Sequence, residues 1–383
     1  MITVEVPGKL YIAGEYAVLE PGGAAVLVAV DRYLTVAVGP AAPDAPSRRT
    51  VTTARTGPGP VELLPRTATT VAAVADPADA AALRHVLTAV ELVERLAAER
   101  GDELLGFHLE IRSALDDAAT GRKFGLGSSG AVTVGVVRAL AQAYRFELDD
   151  DALLRLALLT AFAVDPRCSG GDVAASLLGG WVAYRAPDRA RVAAQFAQPD
   201  TKLTDLLWQP WPELSARRLP APRALSLEVG WSGQPAVSSG LVELLRNGIA
   251  GDSAAYGRFV VASNSCVATL VAALESGDDA SVGTAVATAG ALLRAVSALA
   301  GVAIETPALA ALRTTADALG AVAKSSGAGG GDCGIALVAS AAVPQLRQQW
   351  RAAGITPLEL RVHQPFSAKG KSSDHSVGDL RQP

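Results

Sequence analysis

The stretch KFGLGSSGAVTVGVV, Lys123 to Val137, sets Gly125, Gly127 and Gly130 at the spacing of a dinucleotide-binding fingerprint and follows them with an apolar, helix-compatible run. A nicotinamide-cofactor loop also needs an acidic residue about 20 positions on, at the end of a second strand. Asp149, Asp150 and Asp151 stand at that distance but lie between two helical patterns, where no strand presents a carboxylate to a ribose. Val132 completes the protein-kinase form GxGxxGxV, yet the chain has no HRD and no DFG. No Lys-Ser/Thr pair follows the last glycine, which excludes a Walker A loop. What remains is an anion-binding loop at a helix N-terminus, where the helix dipole and free N–H groups favour phosphate. Ser128 and Ser129 add hydroxyls, Lys123 adds a full charge, and an ordinary Gly-Ser turn with a helix cap is the competing reading.

Three further segments bear on the choice. KSSGAGGGDCG, Lys324 to Gly334, has a glycine density too costly in backbone entropy for filler; it reads as close backbone approach to a ligand or as a bulge before a strand. PGKLYIAGEY, Pro7 to Tyr16, places Lys9 on a strand before a tight turn at Gly14. CSGGDVAAS, Cys168 to Ser176, sets Asp172 between two glycines and a small-residue apolar run, where a partly buried carboxylate needs a cation or metal, with Lys9 as one partner, or else caps the next helix.

The rest of the chain narrows the class. Its 383 residues allow about two domains. A composition of 50% hydrophobic but 5% aromatic residues calls for a core of Ala, Val and Leu. A net charge of -4 with no dense basic stripe lacks the footprint of a nucleic-acid binder. Cys168, Cys266 and Cys333 form no CxxC pair, so neither a disulfide framework nor a zinc knuckle is expected. The N-terminus has no secretory pattern, which points to the cytoplasm. Val282 to Ile304, apolar but Ala-rich and carrying Arg294, reads as a buried helix rather than a membrane span.

Strands are expected at 2–6, 10–13, 25–38 (interrupted at Asp31-Arg32), 107–111, 225–229, 333–338 and 358–362. Helices are expected from an Asp79 cap to Gly101, and at 128–144, 149–164, 174–178, 238–248, 252–275, 280–299 and 307–320. Residues 40–79 read as an irregular or hairpin-bearing excursion, 168–172 as a turn, 186–223 as the connection between domains, and the stretch after Phe366 as a polar, frayed tail.

Taken together and in order, the Lys9 strand, the GLGSS loop and the C-terminal glycine loop resemble the GHMP superfamily of small-molecule kinases. PGKLYIAGEYAVLEPG, AVDRYLTV, KFGLGSSGAV, GWSGQPAVSS and AVAKSSGAGGGDCGIAL are similar to its bacterial phosphomevalonate-kinase branch. The resemblance implies an α+β fold of two domains. Residues 1–222 would form an N-terminal domain like ribosomal protein S5 domain 2, residues 223–383 a ferredoxin-like C-terminal domain, and the site would lie between them. It implies that Gly125, Leu126, Gly127, Ser128, Ser129 and Gly130 wrap the phosphates of ATP. Ser129 would be a ligand of magnesium (Mg2+), with Asp172 contributing. Lys9 and Asp172 would face the transferred phosphoryl group, and Lys123, Ser326, Gly327 and Ala328 would hold 5-phosphomevalonate. Where mevalonate kinases carry a glutamate as second metal ligand, the corresponding place in this chain is near Ala161, and the closest acid is Asp165. Mevalonate as acceptor, a diphosphomevalonate decarboxylase, and a catalytically silent regulator on the same fold are the rival functions.

Overall fold

The structure, a computed structural model, describes residues 1–65, 71–118, 120–236, 238–249 and 252–364, so the tail after Phe366 lies outside the described residues. Strands β1 (Ile2–Ala13) and β2 (Ala24–Pro40) form a long antiparallel pair. Expected as two short strands, β1 is continuous. Its register steps from Pro7↔Tyr33 to Gly8↔Val30, which leaves Asp31 and Arg32 as the extra residues of a bulge in β2. Next come β3 (Arg49–Thr53), β4 (Val61–Glu62) and the small pair β5 (Leu64–Pro65) and β6 (Val71–Ala73). They are followed by α1 (Pro77–Arg100), β7 (Phe107–Ser113), α2 (Ser128–Ala143), α3 (Asp150–Val164), α4 (Gly171–Leu178) and β8 (Trp181–Arg185). The first sheet closes after α5 (Arg189–Phe196) and α6 (Leu203–Trp208) with β9 (Ser215–Leu219). It has seven strands in the order β4-β3-β7-β2-β8-β9, and β1 also pairs with β2. Helix α2 packs on β1 and β2 and against α1, α3 and α4.

The second sheet is antiparallel, in the order β11-β12-β10-β13, built from β10 (Leu225–Trp231), β11 (Val322–Ser325), β12 (Cys333–Ala339) and β13 (Thr356–Leu358). Helices α7 (Ser238–Ile249), α8 (Ser253–Ser276), α9 (Asp279–Ala300) and α10 (Pro307–Asp317) lie between β10 and β11 in the chain, and α11 (Val343–Ala352) precedes β13. By length and composition α8 and α9 could each cross a membrane. In the fold they pack on each other, and α9 buries Val282, Ala285, Val286, Ala289, Leu293 and Val296 along one helical stripe.

Several expectations shift for local reasons. Helix α1 is capped by Asp76, whose carboxylate accepts from the Ala78 N–H at 2.7 Å; Pro77 takes the first helical position, so Asp79 falls in the first turn instead. Helix α4 begins at Gly171, placing Asp172 inside its first turn rather than in the preceding loop or at the cap, because left-handed Gly170 ends the turn (φ 79). The 186–223 stretch holds α5, α6 and the edge strand β9, whose alternation is masked by its polar outer face.

The two sheets are bolted together at the end of β1. The Ser326 hydroxyl donates to the Tyr11 carbonyl and accepts from the Tyr11 N–H, each at 2.9 Å. The Tyr16 hydroxyl donates to the Ala328 carbonyl at 2.5 Å. The Lys324 ammonium pairs with the Glu15 carboxylate, both fully buried, and also donates to the Ser325 carbonyl at 2.7 Å. An apolar cluster continues the junction, packing Tyr16, Ala17 and Leu19 against Leu245, Phe259, Leu293 and Ile304. Lys324→Met therefore leaves Glu15 as an uncompensated buried charge and should destabilise folding by about 3 to 5 kcal/mol. Adding Glu15→Gln should return a large part of that loss, as measured by urea unfolding of the single and double variants.

Candidate active site

Helix α2 begins with Gly127 in a left-handed conformation (φ 79), and the N–H groups of its first turn point out of the helix without intrahelical partners. The hydroxyl of Ser129 sits in this turn on an exposed residue, and Ser128 is half-buried. Three charged side chains close on the loop at its glycines. A Cβ on Gly127 would stand 2.6 Å from Cε of Lys9, one on Gly130 would stand 2.7 Å from Oδ2 of Asp172, and one on Gly125 would stand 2.5 Å from Oδ2 of Asp332. Any side chain at these positions would expel a charge from the site.

Lys9 is held from two directions. Its backbone N–H donates to the Leu126 carbonyl at 2.9 Å, tying β1 to the loop. Its ammonium approaches the Gly125 carbonyl at 3.4 Å and stands 5.5 Å from the Tyr11 ring centroid. Among the described residues no ion pair joins Lys9 to Asp172, contrary to the expected partnership: the lysine lies on the Gly127 side of the loop and the carboxylate on the Gly130 side. Asp172 instead accepts from the Val173 N–H at 3.0 Å, near the positive end of α4.

Lys123 is exposed at the entrance to the loop, bridging to Asp116 through its backbone. Gly327 and Ala328 are half-buried next to the clamp on Tyr11. Ser326 departs from its expected part as a ligand donor, because its hydroxyl is committed to Tyr11 and its N–H to the Cys333 carbonyl at 3.0 Å.

Residues 84–180 match the family described as GHMP kinases N terminal domain, and residues 270–356 match GHMP kinases C terminal. The phosphomevalonate kinase of Streptomyces sp. (strain CL190) is 46% identical over 361 residues, 92% of this chain and 95% of that protein. The chain belongs to the GHMP kinases. Among solved structures, this GHMP kinase resembles the Lin0012 protein from Listeria innocua, with TM-score 0.88 and 30% identity over 96% of this chain and 99% of that one. It also resembles Streptococcus pneumoniae phosphomevalonate kinase in complex with phosphomevalonate and AMPPNP, with TM-score 0.81 and 31% identity over 94% of this chain and 100% of that one. The α+β fold of the two family domains follows from these matches.

Two groups at the site of this GHMP kinase escape the sequence reading. Asp332 is one: it sits inside the quoted GGGDCG segment, but nothing local says that its carboxylate reaches Gly125 across more than two hundred residues. His85 is the other. Its Nδ1 shares a 3.0 Å hydrogen bond with the Thr133 hydroxyl, which donates to the Ser129 carbonyl at 2.9 Å, so α1 braces the first turn of α2. Burial, with help from Arg84 and against the pull of Asp172, lowers the imidazole to about 4. Unfolded, the ring titrates near about 6.5. Between those values the unfolded state holds the extra proton, so the contribution of His85 is complete above 6.5 and is lost as pH falls toward 4. His85→Gln keeps a partner for Thr133 and removes this titration. The stability of the wild-type protein relative to His85→Gln, from urea unfolding, should fall steadily from pH 7 to pH 4.5; a constant difference would show that the ring titrates normally.

Proposed function

We propose that this GHMP kinase transfers the γ-phosphoryl group of ATP to the phosphate of 5-phosphomevalonate, giving ADP and 5-diphosphomevalonate, a step toward isoprenoid precursors. The observation that carries the reading is that two cations attend the glycine loop: Lys9, whose Cε would stand 2.6 Å from a Cβ on Gly127, and Lys123, exposed two residues before Gly125. Two anionic reactants brought together need such positive charge between them. The relatives named phosphomevalonate kinase, at 46% and 31% identity over nearly the whole chain, support the same acceptor.

In this reading the amides of the α2 first turn, with Ser128, hold the nucleotide phosphates. The exposed Ser129 hydroxyl and the Asp172 carboxylate against Gly130 are an oxygen-only pair facing the phosphate loop, a donor set that fits Mg2+. Among the described residues no group of three or more His, Cys, Asp or Glu gathers, so these two would complete a shell supplied mostly by phosphate oxygens and water. Bound there, magnesium would neutralise charge on the phosphates. Lys9 orients the γ-phosphoryl group and offsets the repulsion between the two anions. An oxygen of the acceptor phosphate forms the new bond to the γ-phosphorus, and the bond to the β,γ-bridging oxygen breaks with its electron pair leaving on ADP. A phosphate monoester has a second pKa of about 6, so at pH 7 it is already mostly dianionic and no proton need be removed by the protein. Residues 1–222 and 223–383 are proposed as the two domains, divided at the link between β9 and β10, and the enzyme is placed in the cytoplasm with its small-molecule substrates.

The test is ADP release against mevalonate, phosphomevalonate and diphosphomevalonate, with product identification. Phosphomevalonate should be the preferred acceptor; equal or faster turnover of mevalonate would move the protein to another branch of the superfamily, and release of carbon dioxide from diphosphomevalonate would make it a decarboxylase. Lys123→Ala should raise KM for phosphomevalonate about 10- to 150-fold, the equivalent of a charge-assisted contact of roughly 1.5 to 3 kcal/mol, and KM for ATP much less. A larger effect on ATP would reassign Lys123 to the nucleotide.

A further inference from the structure

The mechanism above makes no use of Asp332, although its carboxylate stands against the glycine loop. Its backbone is left-handed at φ 53. The N–H donates to the Gln234 carbonyl at 2.7 Å, and the carbonyl accepts from the Ser232 N–H at 2.9 Å. Oδ1 accepts from the Ala236 N–H at 2.9 Å, and Oδ2 stands at the place a Gly125 side chain would fill. The loop at Gly125, the glycine segment that carries Asp332 and the 232–236 turn thus meet at one carboxylate. Burial raises its pKa, while the Ala236 N–H, Lys9 and Lys123 pull the other way. Among the described residues it forms no ion pair, but its carboxylate and the Lys9 ammonium, 3.4 Å from the Gly125 carbonyl, converge on the same glycine, with Lys123 two residues before it. An asparagine would accept the same hydrogen bond from Ala236 and fill the same seat without the cost of burying a charge, and the charge therefore needs a use.

We propose that Asp332 is a positioning residue that works through Lys9 and Lys123, a fixed anion that offsets their charge and keeps the acceptor phosphate from being held too tightly to react. The inference rests on the reading of the acceptor as a phosphorylated molecule. As the acceptor oxygen bonds to the γ-phosphorus, negative charge drains from the acceptor toward the leaving group. Repulsion by Asp332 is therefore greater in the bound ground state than in the transition state, and that difference raises turnover. Two lysines without the carboxylate would favour the unreacted dianion.

Asp332→Asn keeps the shape and the acceptor for Ala236 while removing the charge. Calorimetric binding of phosphomevalonate without nucleotide should become about 3- to 10-fold tighter, and kcat should fall by no more than the same factor, a pairing expected when ground-state strain is removed. The Tm should stay within about 2 °C of wild type. Unchanged binding and turnover would make Asp332 a neutral seat; weaker binding with slower turnover would make it an orienting group; a lower Tm would make it structural; each overturns the proposal. Asp332→Ser, smaller and also neutral, must give the same tighter and slower signature if the asparagine protein does not fold. Wild-type protein is assayed alongside: its failure to turn over phosphomevalonate would overturn the acceptor reading, whereas wild-type turnover with a variant that binds no tighter overturns only the role of Asp332.

Discussion

Tyr11 gives both its backbone groups to one hydroxyl, that of Ser326, and through this contact the last residues of β1 become a shared edge of two sheets. Buried backbone groups left unpaired cost about 1 to 3 kcal/mol each, so neither strand can withdraw from the junction cheaply. The same short segment carries Lys9 on one side of the clamp and Glu15 and Tyr16 on the other. Lys9, at the α2 loop, and the Ser326–Ala328 loop are thus referenced to one strand. Their separation is set by covalent geometry and two hydrogen bonds rather than by the packing of two independent domains.

The phosphate loop adds a second constraint, one of space rather than of bonding. Its three glycines are each faced by a different charged group, drawn from β1, from α4 and from the loop before β12. An anion-binding helix terminus on its own is unselective. Here the absence of side chains at Gly125, Gly127 and Gly130 lets two carboxylates and an ammonium approach the backbone more closely than any Cβ would permit. The loop is therefore an inventory of charge as much as a cradle of amides.

Much of this was legible in the chain, for definite reasons. Helices α3, α8 and α9 carry apolar stripes and Asp caps, and α2 an apolar stripe after its glycines, strong enough to be bounded within a residue or two, and Lys9, Ser129 and Asp172 stand in segments whose glycines announce close approach. Strand β9 was not legible, because an edge strand exposed on one side has too few apolar positions to alternate. Strand β11 was missed because four residues between a helix and a glycine loop give no period to count. The pairing of Lys324 with Glu15, and the approach of Asp332 to Gly125, join positions hundreds of residues apart; composition can say that a buried charge needs a partner but not which one. The bonds of Ser326 to Tyr11 are not legible either, since a serine beside glycines looks alike whether it faces a ligand or a backbone.

The acceptor chemistry explains why such a site can dispense with a dedicated base. With an alcohol as nucleophile, a proton must leave during transfer, and the placement of one carboxylate would dominate the rate. With a phosphate as nucleophile that demand disappears, and bringing two polyanions to bonding distance becomes the obstacle. Lysines lower that barrier, but every positive charge that helps the anions meet also holds them apart from reaction in a comfortable ground state. A carboxylate at the Gly125 backbone, held by the Ala236 N–H and converging there with the Lys9 ammonium, is an arrangement in which that attraction can be strong and still incomplete.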